Sequence, residues 1–233
     1  MIRALAKVIP ALAGVVGTAM LLGAVRDRGD VRMSSIRVPD PVVDMPLAPR
    51  AGQANAVVAG GCFWGLQAVF QHVRGVTHVT SGYAGGDAKT AHYDEVSSGT
   101  TGHAESVQIT YDPSQITYGQ LLKVFFSVAH DPTQVDRQGP DDGTQYRSVI
   151  FFSSPDQQRV AQAYIAQLDQ GKIFPRRIAT QVVALPGFYA AEDYHQDYAT
   201  KHPNSMYILV NDHPKVLLLQ SEWPKLYREP VQQ

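Results

Sequence analysis

Two strand-like runs with no helix between them constrain this fold more than any other feature. Val76 to Tyr83 and His103 to Tyr111 both read as strands, and only a polar, glycine-bearing stretch joins them. Elsewhere strands and helices alternate. Ala56 to Ala59 is a short apolar strand candidate, and Phe63, Leu66, Phe70 and Val73 recur at helical spacing. Thr117 and Gln120 form a capping box ahead of Leu121, Leu122, Phe125 and Phe126. Ser148 to Phe152 is a strand. Ser154, Pro155 and Gln157 open a helix with Val160, Tyr164, Ile165 and Leu168 on one face, and Ile178 to Leu185 is a strand again. The order β-α-β-β-α-β-α-β puts two adjacent strands into a mixed sheet, so the class is α+β rather than doubly wound. Beyond Pro186 the chain is rich in aromatic residues, Pro and Asn, and is expected to wrap the domain as loops and short helices.

The first 54 residues differ in composition. Arg3 and Lys7 precede an apolar, Ala- and Gly-rich stretch from Val8 to Val25, whose helix would reach roughly 27 Å, just short of a bilayer core. Residues 1–26 are expected to be a signal peptide or membrane anchor, with a disordered extension or amphipathic presequence as the alternative. Pro39, Pro41, Pro46 and Pro49 mark residues 27–54 as a Pro-containing linker. The folded domain is expected over 55–233. It would lie in the periplasm, or anchored facing the periplasm, with a cytoplasmic location as the alternative.

Charge and cysteine count exclude several function classes. The net charge of −1 and the lack of any Lys/Arg run argue against a nucleic-acid partner. One cysteine cannot form an internal disulfide or a multi-thiolate zinc site. The histidines are scattered without His-Glu-x-x-His spacing, so no metal site is read.

That cysteine lies in Gly60-Gly61-Cys62-Phe63-Trp64-Gly65, where an apolar strand hands over to a helix. A lone cysteine is ordinarily a small buried hydrophobe. At a glycine-flanked strand-to-helix turn, free N–H groups and the positive dipole end favour a thiolate, and the placement suits a nucleophile. Phe63 and Trp64 cannot both point into one core from a helix, so at least one is expected beside the sulfur. In a second cluster, Tyr93 to Glu105, Glu105 falls inside a strand pattern. It is either on the solvent face, the commoner fate of a lone Glu, or buried with a task. A third cluster, Gln138 to Ser148, is a polar turn ending in a strand. Tyr146 there is either core or presents its hydroxyl.

Together the clusters resemble the A-type peptide methionine sulfoxide reductase family. The carriers are G-G-C-F-W-G at 60–65, S-G-T-T-G-H-A-E at 98–105, G-T-Q-Y-R-S at 143–148, and F-Y-A-A-E-D-Y-H-Q-D-Y at 188–198. The resemblance spans roughly Ala56 to Tyr227. It implies an α/β sandwich with a ferredoxin-like core and reduction of the methionine S-sulfoxide, free or in oxidised proteins. On that pattern Cys62 attacks the sulfoxide sulfur, Glu105 donates a proton to the oxygen, and Tyr93 and Tyr146 hydrogen-bond that oxygen. Phe63 and Trp64 hold the S-methyl group, and Asp141 matches a carboxylate that helps hold the site. No cofactor is implied, and a monomer is expected. Many members carry further cysteines that resolve the resulting sulfenic acid. Ser97 and the tail from Asn211 to Gln233 have none, so a single-cysteine form resolved by an external thiol is expected: thioredoxin-like, glutaredoxin or glutathione. A small insertion near Val128 and Ala129 is expected to be harmless.

Two other readings compete. A cysteine hydrolase would pair Cys62 with His103 or His195 and needs an imidazole within hydrogen-bond reach of the sulfur. An inactive module that binds sulfoxide-bearing or aromatic peptides would show binding without turnover.

Overall fold

A computed structural model describes residues 36–230. The expected leader over 1–26 lies outside the described residues, as does the start of the expected linker. No helix among the described residues is long and apolar enough to cross a membrane.

The chain runs β1 (Ala54–Ala59), α1 (Phe63–Gln71), β2 (Val76–Ala84), α2 (Tyr93–Val96), β3 (Ala104–Tyr111) and α3 (Tyr118–Val124). It continues through β4 (Arg137–Gln138), β5 (Asp141–Asp142), β6 (Val149–Phe152), α4 (Pro155–Gln170), β7 (Gln181–Ala184), β8 (Phe188–Ala190), α5 (Tyr198–Lys201) and α6 (His213–Glu222). Six strands form one sheet in the order β7-β6-β1-β3-β2-β8. The central four, β6-β1-β3-β2, pair antiparallel throughout. With α1 and α3 as the connecting helices they make a ferredoxin-like core. β7 adds in parallel beside β6 by way of α4, so the sheet is mixed and the class is α+β, as the adjacent strands implied.

The sheet's two faces are unequal. Val107, Ile109 and Tyr111 on β3 point to the face covered by α1, α3 and α4, within the main core of Leu66, Phe70, Leu122, Phe126 and Tyr164. The other face buries only a small cluster of Val57, Ala59, Ala84, Ala104, Val149 and Phe151. Glu105 precedes Val107 by two residues, so it belongs to the well-covered face.

The segment 36–53 has no helix or strand, in keeping with its prolines, but it lies packed on the domain. Val38 is buried in the main core. Tyr164 donates to the Pro39 carbonyl, Asp40 pairs with Lys123, and the Asp44 carboxylate accepts from the Gly119 N–H at 2.7 Å. The expected capping box at Thr117 and Gln120 is present, with Asp44 added to the same helix end. This strap therefore supplies an acceptor to an N-terminus whose amides have no intrahelical partner.

Candidate active site

The nucleophile's turn is built from the backbone. β1 ends at Ala59, and Gly61 takes φ +96°, a region that disfavours any side chain. A Cβ on Gly61 would meet Gln138 Cγ at 2.6 Å, and one on Gly60 would meet the His130 ring at 2.9 Å. The chain thus passes closely between β4 and His130 before Cys62 becomes the N-cap residue of α1. His130 is itself fixed, with Nδ1 on the Phe125 carbonyl at 3.0 Å and Nε2 on Ser148 Oγ at 2.7 Å. Burial lowers its pKa to about 4, so the ring is neutral. A π-helical turn, Phe125–Ala129, spans Val128 and Ala129 and delivers His130 to this position.

Glu105 stands next to the sulfur. It is 3% exposed, and one of its oxygens accepts the Phe63 N–H at 3.1 Å. Burial raises its pKa to about 8, the nearby Asp141 adding to the shift and the Phe63 and Cys62 hydrogen bonds opposing it. The solvent-facing reading of Glu105 is therefore replaced by a buried carboxyl that holds its proton at neutral pH. Cys62 is half-buried. Its pKa lies well above the ordinary thiol value, first through burial and then through Glu105, Asp212 and Asp141, with the Trp64 N–H pulling the other way. The expectation that the helix end alone favours a thiolate is corrected accordingly. Desolvation and surrounding carboxylates outweigh one favourable amide, so the resting site carries a thiol beside a neutral acid.

The other expected residues converge on the same place. Tyr93 begins α2, and its phenol is raised by burial, by Glu105 and by Cys62. Tyr146 ends a short 3-10 turn, Thr144–Tyr146, and its phenol is raised by burial, then by Glu105, Asp141, Cys62 and Tyr93. Two bonds tie the loops that carry them: Thr144 Oγ1 to the Gly99 carbonyl at 2.6 Å and Gln145 Nε2 to the Ser97 carbonyl at 3.1 Å. Both phenols are half-buried and remain protonated donors. Phe63 differs from expectation in exposure. It is 1% exposed, packed on Tyr83 and His195 with centroids 5.8 and 5.0 Å away. Only Trp64 of the aromatic pair keeps an accessible face, stacked on Tyr198 at 3.7 Å.

The comparisons with known proteins decide the lineage: the peptide methionine sulfoxide reductase family matches residues 54–226. The chain belongs to that family. The reductase is 55% identical over 188 residues to a peptide methionine sulfoxide reductase MsrA 2 of Synechocystis, covering 80% of this chain and 88% of that one. It is also 55% identical to an MsrA 2 of Mesorhizobium japonicum, over 80% of this chain and 95% of the relative. Among solved structures it superposes on methionine sulfoxide reductase A of Corynebacterium diphtheriae with a TM-score of 0.57, 35% identity, and 71% and 86% of the two chains covered. Reduced Mxr1 of Saccharomyces cerevisiae gives a TM-score of 0.59 at 32% identity, with 67% and 89% covered. The reductase is accordingly an oxidoreductase of methionine sulfoxide.

Three parts of the site went unread in the sequence. Tyr207 donates to Asp141 Oδ2 at 2.5 Å and meets Trp64 edge-on at 5.8 Å. Asp212 is fully buried, paired with Lys215 at 3.1 Å, and acts on the Cys62 thiol. Glu192 accepts from the Tyr93 N–H at 3.0 Å and the Tyr83 hydroxyl at 2.8 Å. Tyr207 and Asp212 bracket a π-helical turn, Ile208–Asp212, in the region expected to be loops and short helices. π-Turns gather at functional sites, but sequence periodicity does not reveal them. As for the hydrolase reading, His103 spends both ring nitrogens on Gly86 and the Asp87 carbonyl, and His195 Nδ1 meets Trp64. Neither ring is hydrogen-bonded to Cys62.

Proposed function

We propose that the reductase acts on the S epimer of methionine sulfoxide through a Cys62 sulfenic acid that an external thiol resolves. The observation that carries this reading is Glu105, a buried carboxyl protonated at neutral pH beside the only thiol of the chain. Its one oxygen is held by the Phe63 N–H, which leaves the other to carry the proton.

In the proposed reaction the Cys62 sulfur attacks the sulfoxide sulfur while Glu105 protonates the sulfoxide oxygen. Tyr93 and Tyr146 donate hydrogen bonds to that oxygen as charge develops on it. In the adduct so formed the new S–S bond and the substrate S–O bond both break as the oxygen bonds to the Cys62 sulfur, so methionine leaves as the thioether and Cys62 becomes the sulfenic acid, which keeps the thiol's proton count. Electrons balance, since the sulfoxide sulfur is reduced by two and the cysteine sulfur is oxidised by two. Coupling of the two groups favours this course. Ionised Glu105 would raise the thiol further, whereas protonated Glu105 lets the thiolate form as the proton moves to substrate. The S-methyl group would sit on Trp64, with Phe63 behind it, since methyl and sulfur pack well on aromatic faces. Asp141, fixed by Tyr207, would hold the far wall.

A first thiol then attacks the sulfenic acid and releases water, leaving a mixed disulfide on Cys62. A second thiol displaces the first and restores the cysteine. Thioredoxin-like proteins, glutaredoxin or glutathione each have the needed chemistry. The test is turnover of the separated epimers by wild type and Cys62→Ser. Reduction of the S epimer alone, lost in the Ser variant, is expected. Equal rates on both epimers would contradict the fixed placement of methyl and oxygen, and a folded, active Ser variant would refute the chemistry.

A further inference from the structure

Gly65 stands third in α1 and takes no positive φ. Glycine weakens a helix relative to alanine, so the space it leaves calls for an occupant. That space holds a buried ion pair. A Cβ on Gly65 would collide with Asp212 Oδ1 and lie 2.7 Å from Lys215 Nζ. Asp212 is fully buried, the Lys215 side chain is 12% exposed, and the two meet at 3.1 Å. Among the described residues, Asp212 Oδ2 is buried without a hydrogen-bond partner, and Lys215 Nζ bonds only to Asp212. Apolar side chains of similar volume often fill such a place with no loss of stability. Packing alone therefore does not call for two charges here.

The pair lies close to the nucleophile. The N-cap side chain of a helix sits over its second and third amides. In α1 those belong to Trp64 and Gly65, and the Trp64 N–H acts on the Cys62 sulfur. The pair thus occupies the position next to the amide that the sulfur already uses, and Asp212 acts on the thiol from there. Lys215 also acts on His130, whose ring backs Gly60. Its ammonium therefore reaches the turn at both ends, with Cys62 between them. Three carboxyls oppose a Cys62 thiolate: Glu105 on β3, Asp212, and Asp141 on β5. Tyr93 from α2, Tyr146 from its 3-10 turn and Tyr207 face the same sulfur as phenols that burial keeps neutral. Against these groups Lys215 sets a positive charge within the same turn.

We propose that Lys215 holds the positive charge that favours Cys62 when it leaves a mixed disulfide as thiolate, and that Asp212 anchors and tempers that charge. In this step a second donor thiolate attacks the donor sulfur of the mixed disulfide. A disulfide forms between the two donor sulfurs, the bond to Cys62 breaks, and its electron pair stays on Cys62. The donors are oxidised, Cys62 is reduced, and it takes a proton afterwards. A thiol of lower pKa leaves faster, and a nearby ammonium lowers it. The proposal rests on regeneration by an external thiol, but its test uses no methionine sulfoxide, so the two readings fail separately. With one cysteine in the sequence, alkylation by iodoacetamide against pH reads the ionisation of Cys62 alone. In the full-length protein Asp212→Asn should lower the midpoint by about one unit, and adding Lys215→Met should raise it by about one unit. Adding Lys215→Arg instead should leave the Asp212→Asn profile in place. Release of glutathione from Cys62 by dithiothreitol should slow several-fold between Asp212→Asn and its Lys215→Met double variant. An unchanged midpoint in either step, or equal release rates, refutes the proposal. In the unaltered protein the side-chain nitrogen resonance of Lys215 should follow the ionisation of Cys62 and lose that response once Cys62 is alkylated. A Lys215 signal blind to the state of Cys62 overturns the proposal even where a variant does not fold.

Discussion

Glu105 concentrates the account at the scale of a single residue. Its carboxyl replaces an apolar side chain on the covered face of β3, and the fold holds it near pKa 8 instead of its ordinary 4.5. Glu105→Gln keeps the shape but cannot transfer a proton. Turnover should fall by roughly 100- to 10,000-fold, the usual span for a general acid, and the wild-type decline as pH rises through about 8 should vanish from the variant's profile. Stability gives an independent check. A folded-state pKa above the unfolded one means a stability contribution that is full below about 4.5 and lost as pH rises through about 8. Denaturation at pH 5 and pH 8 should therefore show a larger difference between wild type and the Gln variant at pH 8, with the variant favoured there. Residue identities at the site were largely legible because Cys62, Tyr93, Glu105, Asp141 and Tyr146 sit in three recognisable clusters. Burial was less so. Nothing in the sequence distinguishes a solvent-facing Glu from this one, and Phe63 reads as an equal partner of Trp64 until the core behind it is seen. Tyr207 went unread because it reaches Asp141 from a distant segment.

At the scale of elements, the proposed chemistry depends on the turn from β1 into α1. Gly61 combines φ +96° with the close approach of Gln138, so Gly61→Ala must push β4 away or unwind the N-cap. We expect a loss of about 1–3 kcal/mol in stability, the cost of a side chain at a left-handed position plus a forced shift. Turnover should fall with it, since Cys62 and the Phe63 N–H that holds Glu105 move together. Unchanged denaturation and unchanged kinetics in that variant would show that the turn is not constrained as described. Helices α3 and α4 were legible through their caps: Thr117 with Gln120, and Ser154 ahead of Pro155. β8 was not. Phe188–Ala190 is a three-residue edge strand, too short for an alternation to register, and pairing with β2 alone defines it. The two π-turns were equally hidden.

For the whole molecule, the ferredoxin-like core brings β1, β3 and α1 together so that thiol and acid meet at one edge of the covered face, while segments beyond Pro186 close around them. The adjacency of β2 and β3 was readable because no long helical pattern separates them, the four residues of α2 being too few for a crossover. The strap over 36–53 was not, because its prolines suggest a linker and its anchors, Asp40 and Asp44, gain meaning only from partners more than 70 residues away. With one cysteine in the sequence, the proposed cycle draws its regeneration from a second thiol-bearing molecule. That makes a single-turnover experiment the most direct test of the account. Reduced protein mixed with excess methionine S-sulfoxide and no thiol should release at most one methionine per chain. Intact-mass analysis should then find one added oxygen on Cys62, trappable by a sulfenic-acid reagent, and added glutathione or thioredoxin with its reductase should restart turnover. Sustained methionine release with no thiol present, or one turnover without oxygen on Cys62, would contradict the account.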